Sequence, residues 1–184
     1  MMRTALLAFA RHVHFIEDRA TVVERAVEEV RRVTGASWTA AYTPADDGWV
    51  SRAAMAGDVP FEVPEEVDQD DPALIELRAS RAVIDGPEES VLAGALVLPF
   101  VVAGRVTGLL AVGPAPEPFT PAEREILGAV AAAVGLAFEV LAVRALRREI
   151  TYWRGRAELA QCELDVVRGV LRDPEGMRVA ADLF

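Results

Sequence analysis

Apolar and polar positions along the chain follow two periods, one helical and one of strands. From Asp18 to Thr34, Val22, Val23, Ala26, Val27, Val30 and Val33 fall on one side of a helical wheel, and Glu24, Arg25, Glu28, Glu29 and Arg32 fall on the other. That spacing predicts an amphipathic helix. Asp18 or Thr21 can cap its start, and Gly35 stands where a left-handed residue ends a helix. Upstream, Leu6, Leu7, Ala10 and Val13 share helical spacing, so residues 1–16 are expected to form a leading helix. Ser37–Thr43 and Trp49–Met55 read as two strands joined by the turn Pro44-Ala45-Asp46-Asp47-Gly48. Pro72–Ala79, with Leu74, Ile75 and Leu77, reads as a short helix, Ala82–Ile84 as a short strand, and Gly86-Pro87 as a turn.

The stretch from Gly94 to Phe138 carries the strongest pattern. Ala95–Val101 and Val106–Val112 are Val- and Leu-rich runs on either side of Ala103-Gly104, which predicts a buried β-hairpin. Pro114, Pro116 and Pro118 then exclude helix interior and central strand. Thr120, Pro121 and Glu123 supply an N-cap, a first-turn proline and the reciprocal acid of a capping box, so a long helix is expected to begin there.

The residues LPFVVAGRVTGLLAVG followed by FTPAEREILGAVAAAVGLAF closely resemble the end of a GAF domain. The opening order of helix, strand, turn and strand is also similar to that family, and the resemblance spans residues 17–146. It implies an α+β fold: a central antiparallel sheet of five to six strands with helices on both faces (GAF/PAS-like), plus a long C-terminal helix. It implies a sensory or regulatory module that binds a small ligand or none. The expected division is a helix over 1–16, the GAF-like domain over 17–146, a coiled-coil extension over 147–172 and a tail over 173–184.

Within that frame, Gly57–Asp71 is acidic and proline-containing, with no cation. It resembles the variable segment that covers the ligand pocket in the family; a solvated acidic loop is the preferred reading, since charge runs usually lie at the surface. Alternation in the last strand sets Val106, Gly108, Leu110 and Val112 against Thr107, Leu109 and Ala111. If Gly108 is where the closing helix approaches the sheet, the second set faces the pocket, and the reverse register is the alternative. Candidate pocket residues are Tyr42, Trp49, Phe61, Ile75, Phe100 and Leu109, each of which also suits a plain core. Arg52, on the second strand, is either a ligand anchor or a solvent-facing charge, the latter preferred.

Beyond Phe138 the helical pattern continues. Val143, Leu146, Ile150, Trp153, Ala157, Ala160, Leu164, Val167 and Leu171 occupy the a and d positions of a heptad. Glu149 and Arg154, then Glu163 and Arg168, fall at g and e, where a parallel dimer brings them together. Ala157 and Ala160 bury little, and Gly155 and Gly169 weaken the helix. The seam is therefore expected to pair with a second copy, with Val143, Leu146, Ile150, Trp153, Leu164, Val167 and Leu171 as the dimerisation residues. Packing back on the first helix is the alternative.

Charge and composition narrow the function. The net charge is −10 and every one of the 19 cations is Arg, a poor basis for nucleic-acid binding. One cysteine, Cys162, cannot form an internal disulfide, which favours a reducing cytoplasm. Ala5–Ala10 is short for a signal-peptide core and is cut off by Arg11-His12. Ile126–Phe138 is short for a membrane span, so no membrane association is expected.

Catalytic constellations are not apparent. His12 and His14 are two apart, on different sides of a helix, and no further ligand completes a metal site. Cys162 lies in the coil, which departs from the cysteine-bearing reductase and bilin-binding subgroups of the GAF family. Only Phe119 and Glu123 match loosely the cyclic-nucleotide signature, and the chain has neither Asn nor Lys. The expectation is a non-catalytic module without cofactor, binding a small neutral or cationic ligand and signalling through a homodimer. An unliganded dimerisation scaffold is the alternative.

Overall fold

The computed structural model describes residues 2–45, 50–57 and 63–172. The elements in chain order are α1 (Met2–His12), a short 3-10 turn (Val13–Phe15), α2 (Arg19–Thr34), β1 (Trp38–Pro44), β2 (Val50–Gly57), β3 (Glu66–Val67), α3 (Pro72–Ser80), β4 (Ile84–Asp85), β5 (Leu96–Val102), β6 (Arg105–Val112) and α4 (Pro121–Arg172). The six strands form one sheet in the order β3-β2-β1-β6-β5-β4, and every neighbouring pair is antiparallel. The chain divides into one unit over 1–141 and a second over 142–184. The leading helix, expected as a separate element, belongs to the first unit, with Leu6 and Val13 buried.

Local chemistry explains the element ends. The Asp18 carboxylate accepts the Thr21 N–H at 2.8 Å, and Gly35, at φ 68°, donates to Arg31 as α2 ends. Thr120 and Glu123 form the expected capping box, with the Glu123 carboxylate 2.9 Å from the Thr120 N–H. Those bonds hold Glu123 below its ordinary pKa. The β5–β6 turn is the two residues Ala103 and Gly104, both at positive φ, 48° and 76°. That is the backbone of a tight hairpin turn, and the Ala103 N–H donates to the Glu139 carboxylate of α4.

The sheet separates two cores. On one face, Leu96, Leu98, Phe100, Leu110 and Val112 pack with the apolar sides of α1, α2 and the first part of α4. On the other, Ala40, Tyr42, Val97, Leu109 and Ala111 pack with Leu74 and Leu77 of α3 and with Val63, Val67 and Leu92. α4 is long and apolar enough to cross a membrane by length and composition. Within the first unit its Leu127, Val130, Ala131, Val134, Ala137 and Phe138 are buried in the helix-side core.

Two irregularities escape a period-two reading. The β5–β6 register shifts between Pro99 and Val101, and the β1–β2 register shifts between Ala41 and Tyr42. Leu109 and Ala111 do face α3. Val106, expected on the opposite face, packs with them because the shift intervenes. The close approach assigned to Gly108 is also corrected. A side chain at Gly108 would strike the Tyr42 carbonyl of β1 and the Phe100 ring, not the closing helix. The helix comes close to the sheet at its own Gly135, where an added Cβ would run into the Val101 carbonyl.

Candidate functional site

The α3 face of the sheet is closed by the segment 63–67 and the turn 86–95. Tyr42, fully buried on β1, donates its phenol to the Pro64 carbonyl at 2.9 Å. Burial holds that phenol well above its ordinary pKa, partly offset by the charge of Arg52. Across the β1–β2 pair, Arg52 reaches the same segment. Its guanidinium donates to the Val63 carbonyl at 2.7 Å and lies 3.4 Å from the Glu65 carboxylate, while its backbone N–H donates to Glu65. Two side chains from neighbouring strands thus hold the covering segment by its carbonyls. Arg52 is neither a solvent-facing charge nor a free anchor; it is a brace.

Asp71 performs the matching task at the other end. Its side chain caps α3 by accepting the Ala73 N–H at 2.8 Å, accepts the Ser90 hydroxyl at 2.6 Å and accepts the Val91 N–H at 3.1 Å. Asp71 and Ser90 are both buried. By sequence Asp71 is the last acid of the charged stretch Gly57–Asp71. The signal for its role was present in Asp71-Pro72, a cap residue followed by the first-turn proline of a helix.

Between these braces lies an open recess of about 630 Å3 lined by Arg52, Val63, Pro64, Glu65 and Val91. The structure brings together only part of the expected pocket set. Tyr42 and Leu109 share the α3-side core. Phe100 lies on the opposite face, edge-on to Phe138 at 5.7 Å, because strand alternation from Leu96 and Leu98 carries it to the helix side. Ile75 is 54% exposed, since α3 buries Ala73, Leu74 and Leu77 instead. Trp49 and Phe61 lie outside the described residues, as do the other residues of 58–62 in the acidic stretch.

Among the described residues no group of three or more His, Cys, Asp or Glu side chains gathers as a metal site. His12 bonds the Ala8 carbonyl through Nδ1 at 2.7 Å, and the His14 ring lies tilted against Phe15, with centroids 4.2 Å apart. Cys162 is exposed in the second unit. In that unit α4 carries its apolar seam uncovered: Val143, Leu146, Ile150, Trp153, Leu164 and Val167 are each about half exposed. The side chain of Leu171 and the tail 173–184 lie outside the described residues.

Residues 18–138 match the family described as GAF domain. The chain belongs to the GAF domain family. Solved structures agree in fold. The second GAF domain of DevS from Mycobacterium smegmatis is 30% identical, with a TM-score of 0.56, covering 72% of this chain and 99% of that one. The GAF domain of an Acinetobacter phosphoenolpyruvate-protein phosphotransferase superposes with a TM-score of 0.63 at 14% identity, over 77% of this chain and 93% of that one. A free methionine-R-sulfoxide reductase from Neisseria meningitidis, solved with its substrate, gives 0.65 at 15% identity, over 78% and 91%. At that identity the likeness to the reductase is one of fold. No curated protein gives a significant match. The GAF family is one of sensory and regulatory small-molecule-binding domains, which sets the class of this chain.

Proposed function

We propose that this GAF domain is a non-catalytic regulatory module that works as a parallel homodimer, with α4 beyond Ala142 as the pairing element. The observation that carries this reading is the half-exposed seam of Val143, Leu146, Ile150, Trp153, Leu164 and Val167 at a and d positions. Each such side chain gains roughly 1.5–3 kcal/mol on full burial. The placement of Glu149 and Glu163 at g, with Arg154 and Arg168 at e, favours a parallel, in-register partner. Sedimentation equilibrium tests the pairing: a dimer at micromolar concentration is expected, and Ile150→Glu is expected to give a folded monomer. A monomeric parent chain contradicts it.

Small-molecule input is the second part of the proposal. The recess at Arg52, Val63–Glu65 and Val91 supports a small, partly apolar, neutral or cationic ligand held beneath the cover. One observation favours the unliganded scaffold instead. Tyr42, Leu74, Leu77, Leu92 and Leu109 fill the α3-side core at 0–1% exposure. A thermal-shift screen of metabolites separates the two: a saturable hit lost in Val91→Arg supports the ligand, and a screen without hits supports the scaffold. The exposed thiol of Cys162 fits a cytoplasmic setting, and the acidic surface fits partners other than nucleic acid or anionic membrane.

A further inference from the structure

A second recess, of about 260 Å3, shares no lining residue with the first, and its only charged lining residues are cations. It is lined by Arg78, Arg81, Gly104, Arg105 and Val106. Arg78 stands in the last turn of α3, and Arg81 is its C-cap residue, at φ 54°. Arg105 opens β6 directly after the hairpin turn. Three arginines therefore line one recess in a chain whose net charge is −10.

Among the described residues none of the three is in an ion pair. Arg78 gives one Nη1 bond to the Gln69 carbonyl at 2.7 Å. The backbone N–H of Arg81 is taken by Leu77 as the helix cap. The α3 C-terminus contributes only roughly half a negative charge, so three like charges remain under-compensated. Like charges lining one recess repel one another. An anion with several oxygens removes that repulsion and gives planar guanidinium forks their preferred bidentate partners. The volume falls below the roughly 300–1,000 Å3 of pockets for drug-sized molecules, which suits a compact anion.

We propose that this recess binds a small polyanion of the diphosphate type, bridging the end of α3 to the β5–β6 hairpin. The same hairpin is gripped from the other side by α4, through the Ala103 N–H and Glu139. A ligand at Arg105 therefore acts on the turn that α4 already holds. Binding here stands whether or not α4 pairs, so its failure and the failure of the dimer are separate results.

The test is calorimetric titration of the full chain with inorganic pyrophosphate, with sodium chloride at matched ionic strength as control. ADP serves as a second arm to separate free diphosphate from a nucleotide. Saturable binding with a rise in Tm is expected. Arg105→Gln is expected to weaken it about tenfold or more. Arg81→Gly is the more discriminating variant, because glycine suits the left-handed cap. Its Tm without ligand is expected to rise while pyrophosphate affinity falls about tenfold. Arg32→Gln, on α2 at the other face of the sheet from α3, leaves binding unchanged. ADP binding as tightly as pyrophosphate supports a diphosphate group as the recognised element. No saturable heat, a Tm rise equalled by sodium chloride, wild-type affinity in both recess variants, or binding of ADP alone overturns the proposal.

Discussion

The phenol of Tyr42 donates to the Pro64 carbonyl at 2.9 Å, tying the middle of β1 to the segment that covers the α3 face. This bond joins residues far apart in sequence, and it is made by a fully buried side chain. Burial holds the phenol above its ordinary value of 10.0, so the neutral form stabilises the fold. The contribution is complete below the unfolded pKa of about 10 and is lost as pH rises above it. Urea midpoints across alkaline pH check this. The parent chain is expected to lose stability above pH about 10, and Tyr42→Phe to lose less. At neutral pH Tyr42→Phe costs about 1 kcal/mol from the missing hydrogen bond.

Asp71 joins α3 to the turn carrying Ser90 and Val91, and its three accepted bonds are made where water is largely excluded. Asp71→Ala leaves the Ser90 hydroxyl and two backbone N–H groups without that acceptor. A loss of about 2–3 kcal/mol is expected in chemical denaturation. Amide exchange should quicken first at the start of α3 and around residue 91.

Two glycines of α4 are expected to behave in opposite ways. Gly155 meets nothing within 4 Å of an added Cβ. Gly155→Ala is therefore expected to stabilise the helix by about 1 kcal/mol. Gly135 faces the Val101 backbone, so the methyl of Gly135→Ala must push helix and sheet apart. Overpacking of that kind costs about 1–3 kcal/mol and exceeds the gain in helix propensity. Thermal melts of the two variants side by side give the comparison.

Sequence pattern reached the fold because its elements are bounded by local chemistry. Asp18, Gly35, Thr120 and Glu123 cap helices through partners within four residues, and such bonds are written in short motifs. The candidate site was legible only in part, because it is made by contacts between elements. Nothing near Arg52 in sequence signals that its guanidinium bonds the Val63 carbonyl. Nothing near Gly135 signals Val101. The register shift near Pro99 moves Val106 across the sheet, and strict alternation has no means of marking it. α3 shows the same limit: Leu74, Ile75 and Leu77 are equally apolar, and tertiary packing alone buries two and exposes Ile75.

The proposed dimer pairs α4 beyond Ala142 in parallel and in register with a second copy. Disulfide trapping tests it directly, using Val167→Cys in a chain whose only native cysteine is removed by Cys162→Ser. Residue 167 is a d position, and a parallel in-register pair brings the two copies of a d residue within the roughly 4.4–6.8 Å Cα separation of a disulfide. Mild oxidation is expected to convert most of the chain to a covalent dimer, and Arg172→Cys, at an outward-facing b position, is expected to convert far less. A Val167→Cys chain that stays uncrosslinked at micromolar concentration would contradict the account.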